Sequence, residues 1–375
     1  MRVAVIGTGI VGASAAYQLA KKNIEVIMID RKENGKATSA GAGIVCPWIS
    51  RVDNEDWYNV AKRGARFYER LIHDLEKQGE YNTGYKKVGA LSVSDDASEL
   101  DEIEKRVKRK KKDAPEVGDI SRLSSKETNE LFPVLDEGLQ GVFVSGAARI
   151  DGALLRAALK RAAVKLGARL IEGEANLIKS KGKISGVKVN NDEMKVDKIL
   201  ITTGAWAPEL LKPLGMTLNI EPQKGQIAHI ILPNTDTSNW PVVLPQSSHY
   251  MLAFEDSRVV AGATREDDSG FDYRLTAGGV NEVLSEALKV APGLETGSLE
   301  EVRIGFRPMG PDILPIIGSL DEHEEVVLAT GLGASGLTMG PYVGSLAASI
   351  INKDSVELNL EPYNPARAIK KEELI

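Results

Sequence analysis

The sequence predicts an α/β fold, α+β overall, in which a parallel-sheet domain is combined with a second domain built on a mostly antiparallel sheet. The parallel sheet is indicated by an apolar strand that leads into a glycine-rich turn and a helix at the N-terminus. The same strand-to-glycine pattern returns near residues 204 and 331. The antiparallel sheet is indicated by a change of composition at residues 218–264, where strand-like runs follow one another without helices.

The first thirty residues are typical of one βαβ unit. Residues 3–6 form an apolar run suited to a strand buried on both faces, residues 13–22 form an alanine-rich helix, and residues 25–29 form a second apolar strand. Asp30 closes that second strand, where a carboxylate can accept hydrogen bonds from the ribose hydroxyls of an adenosine.

The turn inside this unit carries the pattern Gly-x-Gly-x-x-Gly, in which each glycine has a separate role. Gly7 permits the tight turn after the strand, Gly9 lets a pyrophosphate approach the backbone, and Gly12 lets helix and strand pack closely. An ordinary glycine-rich turn in an α/β sheet is the alternative. The flanking strand and helix, and the acid at Asp30, favour a Rossmann-like dinucleotide site. Asp30 also argues against NADP, because it would repel the 2′-phosphate.

Composition and charge argue against several classes of protein. The apolar content of 42% and charged content of 27% are typical of a globular protein, and 375 residues suffice for two domains. The net charge of −6 argues against nucleic acid as a partner. No apolar run approaches the roughly 18 residues of a membrane span, so we expect at most peripheral membrane contact. The first strand begins at once and leaves no room for a signal peptide, so we expect a cytoplasmic protein.

Cysteine and histidine usage predicts neither an internal disulfide nor a metal site. Cys46 is the single cysteine, and the four histidines are scattered without the spacing of metal ligands. Cys46 follows a run of small residues at 39–43, which suits a loop pressed against a flat ligand; a flexible linker is the alternative. We expect Cys46 to be a packed small hydrophobe rather than a nucleophile.

The remaining elements follow from apolar periodicity and from glycine, proline and capping signals. Predicted helices cover residues 57–77, 97–112, 125–130, 152–166, 280–290 and 341–351. Predicted strands cover residues 88–93, 168–172, 177–179, 184–189, 194–196, 198–203, 226–232, 250–254, 258–263, 300–307 and 326–330. The basic run at 105–112 is expected to be a solvated helix end stabilised by the helix dipole; a membrane surface or nucleic acid is the alternative partner.

The three strand-to-glycine turns favour a long, buried ligand such as FAD, because a nicotinamide dehydrogenase usually needs only the first. The chain resembles the amino-acid oxidase family of flavoproteins that includes glycine oxidase, D-amino-acid oxidase and dehydrogenase, and sarcosine oxidase. It is most similar to glycine oxidase and D-amino-acid dehydrogenase. The matching segments are residues 7–30, 39–43, 88–91, 203–206, 259–264, 305–308 (Gly-Phe-Arg-Pro) and 331–341.

The resemblance implies FAD as cofactor, bound without a covalent link because the C-terminal cysteine of sarcosine oxidase relatives is missing. Asn176 stands where relatives often carry an apolar residue beside the adenine. The implied cofactor-binding residues are Gly7, Gly9, Ile10, Val11, Gly12, Asp30, Arg31, Ser39, Ala40, Gly41, Ala42, Gly43, Asn176, Thr203, Gly204, Trp206, Gly331, Gly333, Ala334, Ser335, Gly336, Leu337 and Thr338.

The resemblance also assigns the substrate carboxylate to Arg307, with Tyr250 as a second contact. A planar guanidinium offers a bidentate fork and stays charged in a dry pocket, and Pro308 restricts the Arg307 backbone. A structural arginine in a surface ion pair is the alternative for Arg307, and Arg303, four residues back on the same strand face, is its rival. Tyr250 otherwise simply packs, and His249 is expected to be an exposed loop histidine rather than a base.

The implied function is oxidation of the C–N bond of a small amino acid, of the glycine or D-amino-acid type. The Cα hydride passes to flavin N5, and the imine hydrolyses to keto acid and ammonia, so no acid–base residue is obligatory. Oxygen or a quinone is the electron acceptor. The alternatives are a sarcosine or other secondary-amine oxidase, and a non-catalytic or differently catalytic FAD- or NAD-binding protein.

The predicted domains are discontinuous. Residues 1–83, 146–217 and 305–375 are expected to form the FAD-binding domain, and residues 84–145 and 218–304 the substrate domain that covers the isoalloxazine. An oligomer is possible.

Overall fold

The computed structural model describes residues 1–180 and 182–371. Its α-helices are α1 (Ile10–Ala20), α2 (Ala37–Ala40), α3 (Glu55–Lys77), α4 (Ala97–Lys111), α5 (Ser125–Leu131), α6 (Gly152–Lys165), α7 (Ala207–Leu211), α8 (Ala277–Val290) and α9 (Gly336–Asn352). Within these residues, no helix combines the length and apolar character needed to cross a bilayer.

The strands are numbered in chain order. They are β1 (Arg2–Ile6), β2 (Glu25–Asp30), β3 (Ile44–Val45), β4 (Lys86–Lys87), β5 (Ala90–Ser94), β6 (Ile120–Leu123), β7 (Gln140–Val144), β8 (Ala148–Arg149), β9 (Arg169–Glu172), β10 (Ala175–Ser180), β11 (Lys183–Val189), β12 (Asp192–Lys195), β13 (Lys198–Ile201), β14 (Met216–Leu218), β15 (Glu221–Ile231), β16 (Val242–Pro245), β17 (Tyr250–Ala253), β18 (Arg258–Gly262), β19 (Ser298–Met309), β20 (Ile316–Leu320), β21 (His323–Thr330) and β22 (Ile369–Lys371).

A six-stranded sheet contains the predicted βαβ unit. Its order is β20-β21-β13-β1-β2-β9; β1, β2, β9, β13 and β21 run parallel, and β20 runs antiparallel at one edge. β1 is apolar throughout because both of its faces are covered. Val3 and Val5 pack in the core that includes α1, α6 and α9, whereas Ala4 and Ile6 pack against the β10-β11-β12 meander.

An eight-stranded sheet, in the order β19-β15-β18-β17-β16-β5-β7-β6, forms the second layer. It is mostly antiparallel, as predicted, and it includes one parallel pair, β16 with β5. Its longest pairing joins β15 to β19, along which Gln223 stands opposite Arg307. The predicted α/β fold class, with a Rossmann-like unit and an antiparallel sheet, is therefore confirmed.

Helix α9 begins five residues before the predicted start at Pro341. The sequence favours proline in the first turn, because proline cannot donate the hydrogen bond required in a helix interior. Here Pro341 lies inside the helix, and the carbonyl it leaves unbonded, that of Leu337 four residues earlier, accepts a hydrogen bond from the Tyr68 hydroxyl on α3. A tertiary contact thus satisfies the backbone group that the proline cannot.

Helix α1 likewise begins at Ile10, three residues before the prediction. Gly12 lies within its first turn despite the low helix propensity of glycine. A Cβ atom at Gly12 would stand 2.0 Å from the Gly7 carbonyl oxygen and 2.4 Å from Thr202 Oγ1. Close helix–strand packing therefore requires glycine at this position, which is the role expected of the third glycine.

The division into two discontinuous domains stays a prediction. All six strands of the first sheet come from the segments assigned to the FAD-binding domain. β19 belongs to the eight-stranded sheet and runs through the predicted boundary at residue 305. Its residues 305–308 line a cavity together with the carboxyl ends of strands of the first sheet.

Candidate active site

A cavity of about 430 Å3 lies at the carboxyl ends of β1, β2, β13 and β21, where ligands bind in open α/β sheets. The ends of β15, β17, β18 and β19 close its other side. The predicted cofactor residues that line it are Gly7, Gly9, Ile10, Val11, Asp30, Arg31, Ala40, Gly41, Ala42, Gly43, Asn176, Thr203, Gly204, Trp206, Gly333, Ala334, Ser335, Gly336, Leu337 and Thr338. The N-terminal, middle and C-terminal glycine turns therefore meet in one cavity.

Three predicted cofactor residues do not line this cavity. Gly12 is turned toward Gly7 and Thr202, as described above. Ser39 faces the opposite side of its loop, and its carbonyl accepts a hydrogen bond from Arg303. Gly331 takes a left-handed backbone conformation (φ +72°) that turns the chain out of β21, so its role is in the turn.

The N-terminus of α1 opens toward the cavity. Its N-cap, Gly9, makes no side-chain capping bond, and the Ile10 N–H donates to Thr38 Oγ1 at 3.0 Å. Gly7 has φ +87°, and a Cβ atom there would stand 2.7 Å from the Thr202 carbonyl oxygen. The next two N–H groups of the helix, those of Val11 and Gly12, have no partner among the described residues, which suits the pyrophosphate of a dinucleotide.

Two contacts fix the Asp30 carboxylate and leave one of its oxygens able to accept a further hydrogen bond. Its Oδ2 atom accepts from Thr8 Oγ1 at 2.8 Å and lies 2.9 Å from Lys36 Nζ. No described residue donates to Oδ1, which suits the predicted contact with ribose hydroxyls. Arg31, also predicted here, forms ion pairs with Glu33, Glu174 and Glu209, so its side chain braces the rim of the site.

The middle and C-terminal turns leave groups suited to a polar planar ligand. The Thr203 hydroxyl is buried and has no hydrogen-bond partner among the described residues. Trp206 stacks on Phe271 at 4.9 Å and meets Phe306 edge-on. Trp57 Nε1 donates to Ser335 Oγ at 3.2 Å, which ties α3 to the C-terminal turn. An orphaned buried hydroxyl inside a cavity built for a dinucleotide fits FAD.

Arg307 lies at the other end of the cavity, on β19, and bonds only to neutral groups within the described residues. Its Nη1 donates to Gln223 Oε1 at 2.9 Å and to the Thr264 carbonyl at 3.0 Å, and the guanidinium shares a hydrogen bond with the Tyr250 hydroxyl. Burial lowers the pKa of Arg307, although arginine stays charged. A buried cation without a carboxylate partner is a receptor for an anion.

Tyr250 lines the cavity beside Arg307. Burial raises the pKa of its hydroxyl, and the positive charges of Arg307 and Arg265 oppose this effect. Two glycines make room for the pair. A Cβ atom at Gly225 would stand 2.7 Å from Arg307 Nη2, and one at Gly262 would stand 3.0 Å from the Tyr250 hydroxyl oxygen.

Arg303, the rival of Arg307, does not line this cavity. It pairs with Glu301 at 2.5 Å and belongs to a neighbouring charged surface pocket. Arg303 therefore has the structural role, an ion pair at the surface, that was considered as the alternative for Arg307.

The expectation for His249 was wrong. Its side chain is only 13% exposed, and its Nε2 atom lies 3.4 Å from Oε1 of Glu282 on α8. His249 is not among the cavity-lining residues. Cys46 does line the cavity, but burial raises the pKa of its thiol to about 12, so it remains protonated.

Lys36, Thr38, Trp57 and Arg265 are among the cavity-wall residues that the sequence analysis did not assign to the site. Lys36 and Thr38 directly precede the small-residue loop at 39–43, and that position was the available signal. Trp57 was assigned only to a helix core. Arg265 directly follows the segment 259–264 that carried the family resemblance.

Comparisons with known proteins agree with this geometry. A family model described as FAD dependent oxidoreductase (DAO) matches residues 2–350. An uncharacterized oxidoreductase of Bacillus subtilis, YurR, is 51% identical over 366 residues, which is 97% of this chain and 98% of that protein. Glycine oxidase of Pseudomonas putida is 26% identical, over 97% of this chain and 98% of that protein.

Two solved structures are similar over the full length of the chain. Iminodiacetate oxidase from Chelativorans sp. BNC1 is 48% identical with a TM-score of 0.95, covering 97% of this chain and 99% of that chain. Glycine oxidase from Geobacillus kaustophilus is 25% identical with a TM-score of 0.85, covering 98% and 100%.

Proposed function

The chain belongs to the FAD dependent oxidoreductase (DAO) family, and on that premise we propose that it oxidises the C–N bond of a small amino acid of the glycine or D-amino-acid type. Family membership confirms the resemblance found in the sequence and makes the chain an FAD-dependent enzyme. The alternative of a non-catalytic nucleotide-binding protein is therefore not kept.

The observation that carries the proposal is the largely buried Arg307 beside Tyr250, on the cavity wall that the antiparallel sheet forms. We propose that the guanidinium binds the substrate carboxylate and that the Tyr250 hydroxyl shares it. This pairing orients the substrate Cα toward the ring system of the cofactor, and orientation of this kind is a major source of rate acceleration. The role fits a cation whose partners inside the described protein are all neutral.

When bound, FAD would supply the acceptor for a hydride from the substrate Cα, and the oxidised substrate would hydrolyse to keto acid and ammonia. No side chain need take a proton from carbon in this reaction. The protein's part is to hold the carboxylate, to keep the amine neutral and unbound by acids, and to exclude water. In agreement, Asp30, Glu33, Glu174 and Glu209, the carboxylates that line the cavity, all lie toward its dinucleotide end.

A secondary amine is a second candidate substrate. It is favoured by the 48% identity with iminodiacetate oxidase, against 25% with a glycine oxidase structure. We further propose oxygen or a quinone as electron acceptor, a cytoplasmic location, and the capacity to form an oligomer.

The test is anaerobic bleaching of the bound flavin by glycine, sarcosine, iminodiacetate and a panel of D- and L-amino acids. We expect at least one carboxylate-bearing amine to bleach it, and the corresponding amines without carboxylates to fail. A yellow protein that no member of the panel reduces would contradict the proposal.

The cofactor is proposed to be non-covalent. Acid precipitation should leave the yellow colour in the supernatant, because no cysteine follows Cys46 to form a thioether. Colour that stays with the washed pellet would show a covalent link.

A further inference from the structure

We propose that Arg265 binds a second carboxylate, so that the preferred substrate is a secondary amine carrying a carboxylate on each arm. The proposal rests on the proposed function, because it assigns Arg307 to the first carboxylate. Its evidence is independent of that assignment and comes from the position, the pairing and the charge around Arg265.

Arg265 stands three residues after β18 and lines the cavity together with Arg307, Tyr250 and Ser248. The two arginines differ in depth. Arg307 is largely buried near the C-terminal end of β19, whereas Arg265 is exposed to solvent at the cavity edge. Arg265 is nevertheless close enough for its charge to affect the ionisation of both Arg307 and Tyr250. One cation therefore lies inside the site and another at its mouth.

Glu266 and Asp267, the two carboxylates that directly follow Arg265 in the chain, bond to other residues. Glu266 accepts hydrogen bonds from Gln226 and Thr264, both at 2.7 Å, and lies 3.3 Å from Lys224 Nζ. Asp267 accepts a hydrogen bond from Gln223 at 2.8 Å.

Among residues 1–180 and 182–371, the Arg265 guanidinium itself has no hydrogen-bond or ion-pair partner. Arg274, in the same loop, shows the usual alternative, an ion pair with Asp272 at 2.8 Å.

The charge balance of the cavity wall favours a dianion at this end. Arg307 and Arg265 both line it, and neither forms an ion pair with a described carboxylate, while the lining acids lie at the dinucleotide end. Two like charges near each other are unfavourable unless an opposite charge joins them. A monocarboxylate would satisfy Arg307 and leave Arg265 without a partner. A substrate with carboxylates at both ends satisfies both arginines, with its amine between them.

The chemistry of such a substrate is balanced. In iminodiacetate, one arm loses a hydride from its Cα to the flavin and the nitrogen loses a proton, which forms a C=N bond. Water adds to that carbon, and the C–N bond then breaks to release glyoxylate and glycine. The second arm takes no part in bond changes, so its carboxylate is free to stay on Arg265.

The experiment compares two matched pairs of probes. Iminodiacetate and sarcosine are both secondary amines, and they differ only in whether the second arm ends in a carboxylate or in hydrogen. Glutarate and butyrate are their counterparts with a methylene in place of the nitrogen, so they cannot be oxidised at a C–N bond. Anaerobic flavin reduction is measured for the first pair, and perturbation of the flavin spectrum of the holoenzyme for the second.

We expect the parent enzyme to favour iminodiacetate over sarcosine and glutarate over butyrate. In Arg265→Met, the half-saturating concentrations of iminodiacetate and glutarate should rise about tenfold to a hundredfold, the usual worth of one hydrogen bond to a charged group. Those of sarcosine and butyrate should change by less than about threefold. The limiting rate of flavin reduction in Arg265→Met should equal that of the parent enzyme. Arg265→Lys should keep part of the preference for the diacids, and Arg274→Met should behave like the parent.

A loss that is equal for both members of each pair, or a parent enzyme without preference for the diacids, would overturn the proposal. Glutarate binding that depends on Arg265 in an enzyme that no amine reduces would contradict the proposed function while sustaining the second-carboxylate site. The two failures are therefore distinguishable.

Discussion

The two ends of the cavity are built from different materials. At the dinucleotide end, the groups that face the ligand are largely backbone: the Gly7–Gly9 turn, the uncapped N-terminus of α1, and the glycine turns after β13 and β21. At the substrate end, they are side chains on strands far apart in the chain, Tyr250 on β17 and Arg307 on β19. The first end is thus fixed by where the chain can turn, and the second by which side chains an antiparallel sheet brings together.

This difference has an energetic consequence. A substitution at the dinucleotide end acts by occupying space, so it should reduce cofactor content and stability. A substitution at the substrate end removes a charge or a hydroxyl, so it should reduce turnover while the cofactor stays bound. The following predictions test this separation.

The largest effect is expected for Arg307→Ala. Truncation leaves the substrate carboxylate unpaired in a desolvated site, which costs about 2–5 kcal/mol, or roughly 30-fold to several thousandfold in flavin reduction. Lysine should rescue only part of this, because a point charge cannot reproduce the planar fork. Anaerobic stopped-flow reduction by a carboxylate-bearing amine measures the effect, and FAD content should stay normal.

Arg303→Ala is the matched control, since Arg303 lies on the same strand and pairs with Glu301 outside the cavity. Collapse of reduction in Arg303→Ala alone, with Arg307→Ala at the parent rate, would reverse the assignment of the two arginines.

The next effect is expected for Gly12→Ala at the dinucleotide end. The added methyl group would stand 2.0 Å from the Gly7 carbonyl oxygen, and overpacking of this kind costs about 1–3 kcal/mol. We expect a lower melting temperature and a lower flavin-to-protein ratio, with unchanged substrate preference in the molecules that keep FAD. Gly278→Ala on α8 has nothing within 4 Å and should be neutral or slightly stabilising. Equal melting temperatures for the two variants would refute the packing argument.

A smaller effect is expected for Asp30→Asn, which changes one of the few side chains that serve the dinucleotide end. It weakens the acceptor offered to the ribose and removes the negative charge that pairs with Lys36. FAD affinity should fall about tenfold, the worth of one charge-assisted hydrogen bond. Titration of apoprotein with FAD, followed by flavin fluorescence, gives the affinity. A loss of reduction rate at saturating FAD would show that the two ends are not separable.

The smallest effect is expected for Tyr250→Phe. The ring still packs against Gly262, and only the hydroxyl that bonds to Arg307 is lost. A hydrogen bond to a charged group contributes about 1.5–3 kcal/mol, but the Arg307 N–H groups still bind the carboxylate when the hydroxyl is absent, so the half-saturating substrate concentration should rise only roughly twofold to tenfold. A change as large as that of Arg307→Ala would mean that the hydroxyl has a chemical role rather than a positioning one.

The same difference explains what could be predicted from the sequence. The dinucleotide end depends on local order, strand then glycines then helix, and this order is visible in thirty consecutive residues. Even so, Gly12 and Ser39 show that such a motif does not tell which of its members faces the ligand.

The substrate end could be reached only through the family resemblance. Arg303 and Arg307 lie on the same face of β19, so alternation along the strand does not distinguish them. They differ because Arg303 pairs with Glu301, whereas Arg307 lines the cavity. No periodicity or motif in the sequence points to Arg265. Its proposed role depends on the bonds that Glu266 and Asp267 make to other residues, which only the folded structure shows. The start of α9 was predicted wrongly for a similar reason. Tyr68, far away in the chain, donates a hydrogen bond to the carbonyl that Pro341 cannot bond.

The order of strands in the first sheet bears on how the chain folds during synthesis. β13 lies between β1 and β21, and α1 packs against α9, yet β21 and α9 are made more than one hundred residues after β13. Until then, one edge of β13 has no neighbour, and the largely apolar α1 lacks the helix that covers it. Unpaired edges and uncovered apolar helices invite wrong association in partly made chains. The nascent protein therefore passes through a vulnerable stage before its cofactor site can close, and sheltering by chaperones at that stage would raise the yield of active enzyme.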